Sequence, residues 1–166
     1  IRLGASVDAD AAILANSTAT GDDTNSTDDE NGVTMPASLA TGQTASIPVN
    51  IQNVSGVLNV WFDWNKDGDF LDSGEQVVSE QAVATGTTNL NIAVPATASG
   101  GTTFARFRAC STTAQCNTPT SAASTGEVED YAATIIAPMD YSDAPATYGT
   151  PSHTIVSGVR LGATAP

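Results

Sequence analysis

Basic residues are almost missing from this chain. Lysine and arginine together number 5 against 18 Asp and Glu, a formal net charge of −13 over 166 residues, and the one lysine is Lys66. A surface of that sign repels phosphate backbones and anionic lipid, which excludes a nucleic-acid partner. Long apolar runs are missing as well. Nothing approaches the roughly 18 consecutive apolar residues of a membrane-spanning helix, so no membrane insertion is expected. Apart from Ala, strong helix formers such as Leu and Lys are sparse beside Thr, Ser and Gly, which tilts the chain toward β structure. Histidine occurs once, at His153 in a proline-rich tail. There is no G-x-S-x-G or H-E-x-x-H motif. Paired carboxylates can do acid–base work, but they need a cleft or a nucleophile with its base. The chain is therefore expected not to be an enzyme.

Cysteine is scarce too, and its placement is informative. Cys110 and Cys116 stand in "CSTTAQC", a spacing that fits neither a zinc nor a redox CxxC motif. A disulfide closing this short loop is the expectation, worth about 2 kcal/mol in the chain-entropy model. It places the chain in an oxidising compartment, secreted or at the cell surface. Two free thiols on facing strands are the alternative. Ile1 opens inside a motif, so the chain is expected to be processed or cut from something longer.

What the chain has in excess is carboxylate, in clusters without cations. Five acids fall between Asp22 and Glu30, five between Asp63 and Glu75, and three at Glu127, Glu129 and Asp130. Solvated acids usually alternate with basic partners. All-oxygen clusters without them call for an external cation, and Ca²⁺ suits them best. The sharpest cluster is "DWNKDGDFLDSGE". Asp63, Asn65 and Asp67 alternate and Gly68 follows, the D-x-N-x-D-G order of a calcium loop. Oxygens at alternate positions converge when the chain curls, and glycine at the sixth position permits the sharp turn. Asp69, Asp72 and Glu75 supply further oxygens. An EF-hand would place Glu at position twelve, where this chain has Gly74, with Glu75 one later. The flanks read as strands, so the expectation is a calcium loop on a β-hairpin, set against an Asx-type turn with solvated acids.

Two other clusters stay open. "GDDTNSTDDENG" offers Asp22, Asp23, Asp28 and Asp29, either as cation ligands or as an acidic linker. "GEVEDY" puts Glu127, Glu129 and Asp130 on a strand whose other residues look buried. Acids there need a metal or an arginine, and Arg106 and Arg108 are the candidate partners. Asn16, Asn25 and Asn53 open N-x-S/T sequons, which matter only where the transferase exists.

Alternating apolar residues predict strands at 45–53, 57–64, 75–83, 88–94, 102–110 and 127–136, broken by Gly and Pro. No segment longer than about ten residues shows a helical period. The fold class read from this is all-β, an antiparallel β-sandwich of the Ig-like or jelly-roll-like kind. It would occupy residues 33–137, after an acidic linker at 1–32 and before an inter-domain segment at 138–166 that packs through Tyr141, Tyr148 and Ile155. The ends echo one another: "IRLGAS" at 1–6 and "VRLGAT" at 159–164. That is what one period of a tandem array shows when it is cut inside a repeat.

"VWFDWNKDGDF", "GEQV", "FARFRACST" and "GEVEDYAATI" together resemble the GEVED domain, named for the last motif. The resemblance spans about residues 33–136. "DYSDAPATYGTPSHTI", followed by "RLGA", is similar to the stretch that precedes such domains and leads into an acidic linker. The family occurs in large secreted and cell-surface proteins, mostly bacterial. It implies a β-sandwich, calcium sites and adhesive or structural roles, and it brings no catalytic residues to carry over. The Cys110–Cys116 loop is not part of its pattern, and position twelve of the calcium loop departs from the EF-hand order. Three roles follow as expectations. One is a calcium-stabilised extracellular repeat whose partners are neighbouring copies. The second is a subunit of a filament assembled through its terminal segments. The third is a carbohydrate-binding module meeting surface glycans through an exposed Trp61.

Overall fold

The computed structural model describes residues 1–7, 15–21, 30–155, 159 and 161. Ten strands follow in chain order: β1 (Arg2–Leu3), β2 (Leu39–Ala40), β3 (Thr44–Gln52), β4 (Gly56–Phe62), β5 (Gln76–Val83), β6 (Gly86–Ala93), β7 (Gly101–Cys110), β8 (Glu127–Ile136), β9 (Met139–Tyr141) and β10 (Ser152–Thr154). Among the described residues there is no α-helix, only a 3₁₀ turn at 146–148. The protein is an all-β sandwich. A sheet in the order β1-β3-β6 faces a sheet in the order β2-β8-β7-β4-β5, and β9 pairs with β10 as a separate hairpin. The pairings are antiparallel except β2 with β8, which run parallel.

Alternation explains why the layers face as they do. In β3 the residues Ile47, Val49 and Ile51 are fully buried while their neighbours stay partly or fully exposed. Leu90 and Ile92 of β6 join them from the same sheet. Leu58, Val60 and Phe62 of β4 and Ala105, Phe107 and Ala109 of β7 close the core from the other side. Each fully buried large side chain contributes about 1.5–3 kcal/mol relative to exposure. The small alanines of β7 leave room for the aromatics. Trp64 stacks on Phe62 at 4.6 Å, and Phe107 meets the edges of Phe62 at 6.2 Å and Tyr131 at 5.7 Å. This row runs from the loop after β4 to the strand β8.

All six expected strands are present within a residue or two of their expected ends. The sandwich also draws in β1 from the segment read as linker, with Leu3 fully buried in the core. Two other expectations fail. Trp61 is 2% exposed, because both faces of β4 are covered. Its outward face lies beside Arg106 in register, and Arg106 in turn sits over the Phe70 ring. A buried indole offers no platform for a sugar ring. The tail does not pack through its tyrosines either. Tyr141 and Tyr148 are 69% and 80% exposed, and the β9–β10 hairpin closes mainly on its own backbone.

Candidate functional site

The loop from Asp63 to Glu75 joins β4 to β5. Carboxylate oxygens of Asp63, Asp67 and Glu75 lie within 4.8 Å of one another. Asp63 and Glu75 are buried at the floor, and Asp67 is exposed at the rim. The backbone wraps this point as the alternating sequence requires. Asp63 Oδ1 accepts from the Lys66 amide at 2.6 Å, and its Oδ2 accepts from the Gly68 amide at 3.1 Å. Glu75 accepts from the Trp64 amide at 3.2 Å and from the Asp72 amide at 3.2 Å. The residue at position thirteen thus closes the loop in place of the one at twelve.

Electrostatically the site is short of positive charge. Burial pushes the Glu75 carboxyl above its ordinary range, and the nearby charges of Asp63 and Asp72 add to this, against the two backbone amides. The one lysine in the loop turns away, its Nζ 3.1 Å from the Gly100 carbonyl. Asn65 directs its amide nitrogen at Asp67 and at Asp72, 3.1 and 2.5 Å away, a dipole where a cation would serve better. Asp69 caps its own turn by accepting from the Leu71 amide at 2.8 Å. Three converging carboxylates with no basic side chain among them form a hard oxygen donor set. That set suits a hard divalent cation such as Ca²⁺, which Asp63, Asp67 and Glu75 would hold.

The acids of β8 do a different job. Gly126 precedes them at φ 102°, where a Cβ would meet the Ala109 carbonyl oxygen at 1.9 Å, so no other residue fits. Glu127 accepts from the Leu3 amide and so holds β1. Glu129 is buried and accepts from the amides of Asn31 at 3.1 Å and Gly32 at 3.0 Å. The Tyr131 hydroxyl donates to Glu129 at 3.0 Å and accepts from the Val33 amide at 3.1 Å. Burial, then the Glu129 charge, pushes that phenol far up, so it stays a donor. Asp130 faces the other side of the sheet and takes Arg106 in a two-pronged pair, at 2.7 and 2.5 Å. Its attraction raises the Arg106 guanidinium.

The open choice for these three acids therefore divides. Asp130 has its arginine. Glu127 and Glu129 clamp backbone amides of the N-terminal segment. Among the described residues Arg108 pairs with no acid. It donates to the carbonyls of Thr118 at 2.5 Å and Ser121 at 2.7 Å, pinning the loop between β7 and β8. Burial lowers its guanidinium, and Arg106 beside it adds to this. Cys110 and Cys116 form the expected disulfide, buried under the same loop. Asp22, Asp23, Asp28 and Asp29 lie outside the described residues. Sequence reasoning missed the roles of Tyr131, Asn31 and Gly32. The signal available was a phenol following two acids on an inward-facing alternation.

Much of the larger sheet, this strand included, falls within a stretch that matches a known family. Residues 57–134 match the GEVED domain, from β4 to near the end of β8. The chain carries a GEVED domain. No curated protein matches the chain. Within the GEVED domain, the motif letters now have physical content. The glycine makes the close turn, the two glutamates hold β1 and residues 31–32, and the aspartate locks β8 to β7.

Proposed function

We propose that this GEVED domain is a calcium-stabilised, non-enzymatic structural or adhesive repeat of an extracellular protein, one period of a tandem array. The observation that carries the reading is the convergence of Asp63, Asp67 and Glu75 with no basic side chain among them. A divalent cation there would neutralise the mutual repulsion and tie β4 to β5 through the loop. The buried disulfide supports an oxidising compartment, and the recurrence of "RLGA" at both ends supports the array. Neighbouring copies are then the natural partners.

A thermal melt in calcium against the same melt in EGTA tests this. Calcium at about 100 times its dissociation constant stabilises by about 2.7 kcal/mol per site. For this chain length that is a rise of roughly 5–10 °C. A melt indifferent to calcium would leave the loop as a turn and remove the cation from the reading. A second reading, a filament subunit joined through terminal segments, draws on the exposed β9–β10 hairpin with Tyr141 and Tyr148 uncovered. Concentration-dependent assembly seen by light scattering would favour it.

A further inference from the structure

β1 is a minimal strand in a specific seat. Arg2 and Leu3 pair with Gln52 and Ile51 at the edge of β3. Leu3 fills the core, its amide donates to Glu127, and the Gly4 amide donates to the Asn50 carbonyl at 2.9 Å. Gly4 takes φ 60°, and a Cβ there would overlap Asn31 Oδ1 at 1.9 Å. The Ala5 amide donates to Asn31 Oδ1, and the Ser6 hydroxyl accepts from Asn31 Nδ2 at 2.7 Å. The seat thus demands a leucine, then a glycine, then any residue with a backbone N–H, then a hydroxyl.

The segment 159–164 satisfies each demand. Leu161 stands for Leu3, Gly162 for Gly4, Ala163 for Ala5 and Thr164 for Ser6, with Arg160 for Arg2 and Val159 for Ile1. Leu161 and Val159 are 103% and 78% exposed, so their apolar surface is uncovered among the described residues. We propose that the β1 seat is a docking site for segment 159–164 of a second copy of this chain, which enters as a replacement edge strand. The proposal rests on the repeat reading above and names the contact by which one copy meets the next. The donated strand and its seat lie on different parts of the chain, so the contact is heterologous and the assembly open. In a single chain residues 1–6 fill the seat themselves. A tethered strand competes at an effective concentration on the order of millimolar, so the intact protein stays largely monomeric below that.

The test uses the full chain in two forms. Leu3→Asp weakens the resident strand, and its oligomers are sized by light scattering beside Leu3→Asp/Leu161→Asp. Oligomers in the first that vanish in the second are expected. A folded but monomeric Leu3→Asp protein overturns the proposal. Leu3 is a core residue, so a second pair leaves the core intact. Gln52→Cys/Arg160→Cys places thiols opposite each other in the donated register, and Gln52→Cys/Thr154→Cys serves as control. At protein concentrations on the order of millimolar, where the donated strand competes with the resident one, mild oxidation should give a ladder of covalent dimers and larger species in the first pair. A ladder no stronger than the control's overturns the proposal. Both assays are run in calcium and in EGTA. A ladder in both conditions, together with a melt that ignores calcium, keeps the seat and removes the cation. A calcium-shifted melt without a ladder does the reverse.

Discussion

Glu75 holds a negative charge where burial and two neighbouring acids oppose it. The folded state therefore binds a proton at Glu75 more tightly than the unfolded chain does. In calcium-free protein this contribution is fully present below the ordinary glutamate value of 4.5 and is lost as pH rises through the raised value. Metal-free samples cleared of calcium on a chelating resin should thus gain melting temperature as pH is lowered from 7 toward 5. Calcium should reverse the trend, since it needs the ionised carboxylate. Glu75→Gln should melt no lower than the metal-free wild type and should lose the calcium response, read by the same melts. Glu129 is the opposite case, a carboxylate whose hydrogen bonds to amides and a phenol are already made. Glu129→Ala strands those donors in the interior and should cost about 3 kcal/mol in urea unfolding. Faster amide exchange at Asn31, Gly32 and Val33 would mark the loss as local to the clamp.

At the level of elements, the strands were legible because alternation is a local signal. The run Ile47, Val49, Ile51 states its buried face without help from the rest of the chain. β4 was half legible. Its inner face reads from Leu58, Val60 and Phe62, but nothing local says that Trp61, opposite Arg106 in register, is buried as well. β1 and β2 are two residues each, too short to carry a period, and exist only through their neighbours. The 63–75 loop was legible as a motif. That Glu75 and not Asp69 joins Asp63 and Asp67 depends on how the turn closes. The loop between β7 and β8 was legible at its cysteines alone, since its second anchor is Arg108, a strand residue read as a carboxylate partner. Replacing both cysteines, Cys110→Ala with Cys116→Ala, should cost about 2 kcal/mol in denaturant unfolding. Adding Arg108→Ala should open the loop at 111–125 to limited proteolysis while the calcium response of the 63–75 loop stays.

On the scale of the whole molecule, the charge of −13 is carried unevenly. The sandwich spends its acids on named partners, Asp130 on Arg106 and Glu129 on the amides of residues 31 and 32, while the cluster at 22–29 is set apart by sequence. The hydrogen bonds of Ala5 and Ser6 to the Asn31 side chain fasten residues 5 and 6 to residue 31. They close a neck around everything between. What sequence alone reads as a linker leaves the sandwich and returns to it at one place. The cost of closing a loop grows slowly with its length, so halving it changes stability by about 0.6 kcal/mol. Replacing residues 8–29 by a Gly/Ser segment of half the length should keep the melting temperature within a few degrees, and the calcium response of the 63–75 loop should survive. The neck therefore fixes where the intervening stretch starts and ends, whatever its length. In the array proposed above, the length, charge and sugar acceptors between those two ends could differ from one copy to the next while the ends stay anchored in the same way.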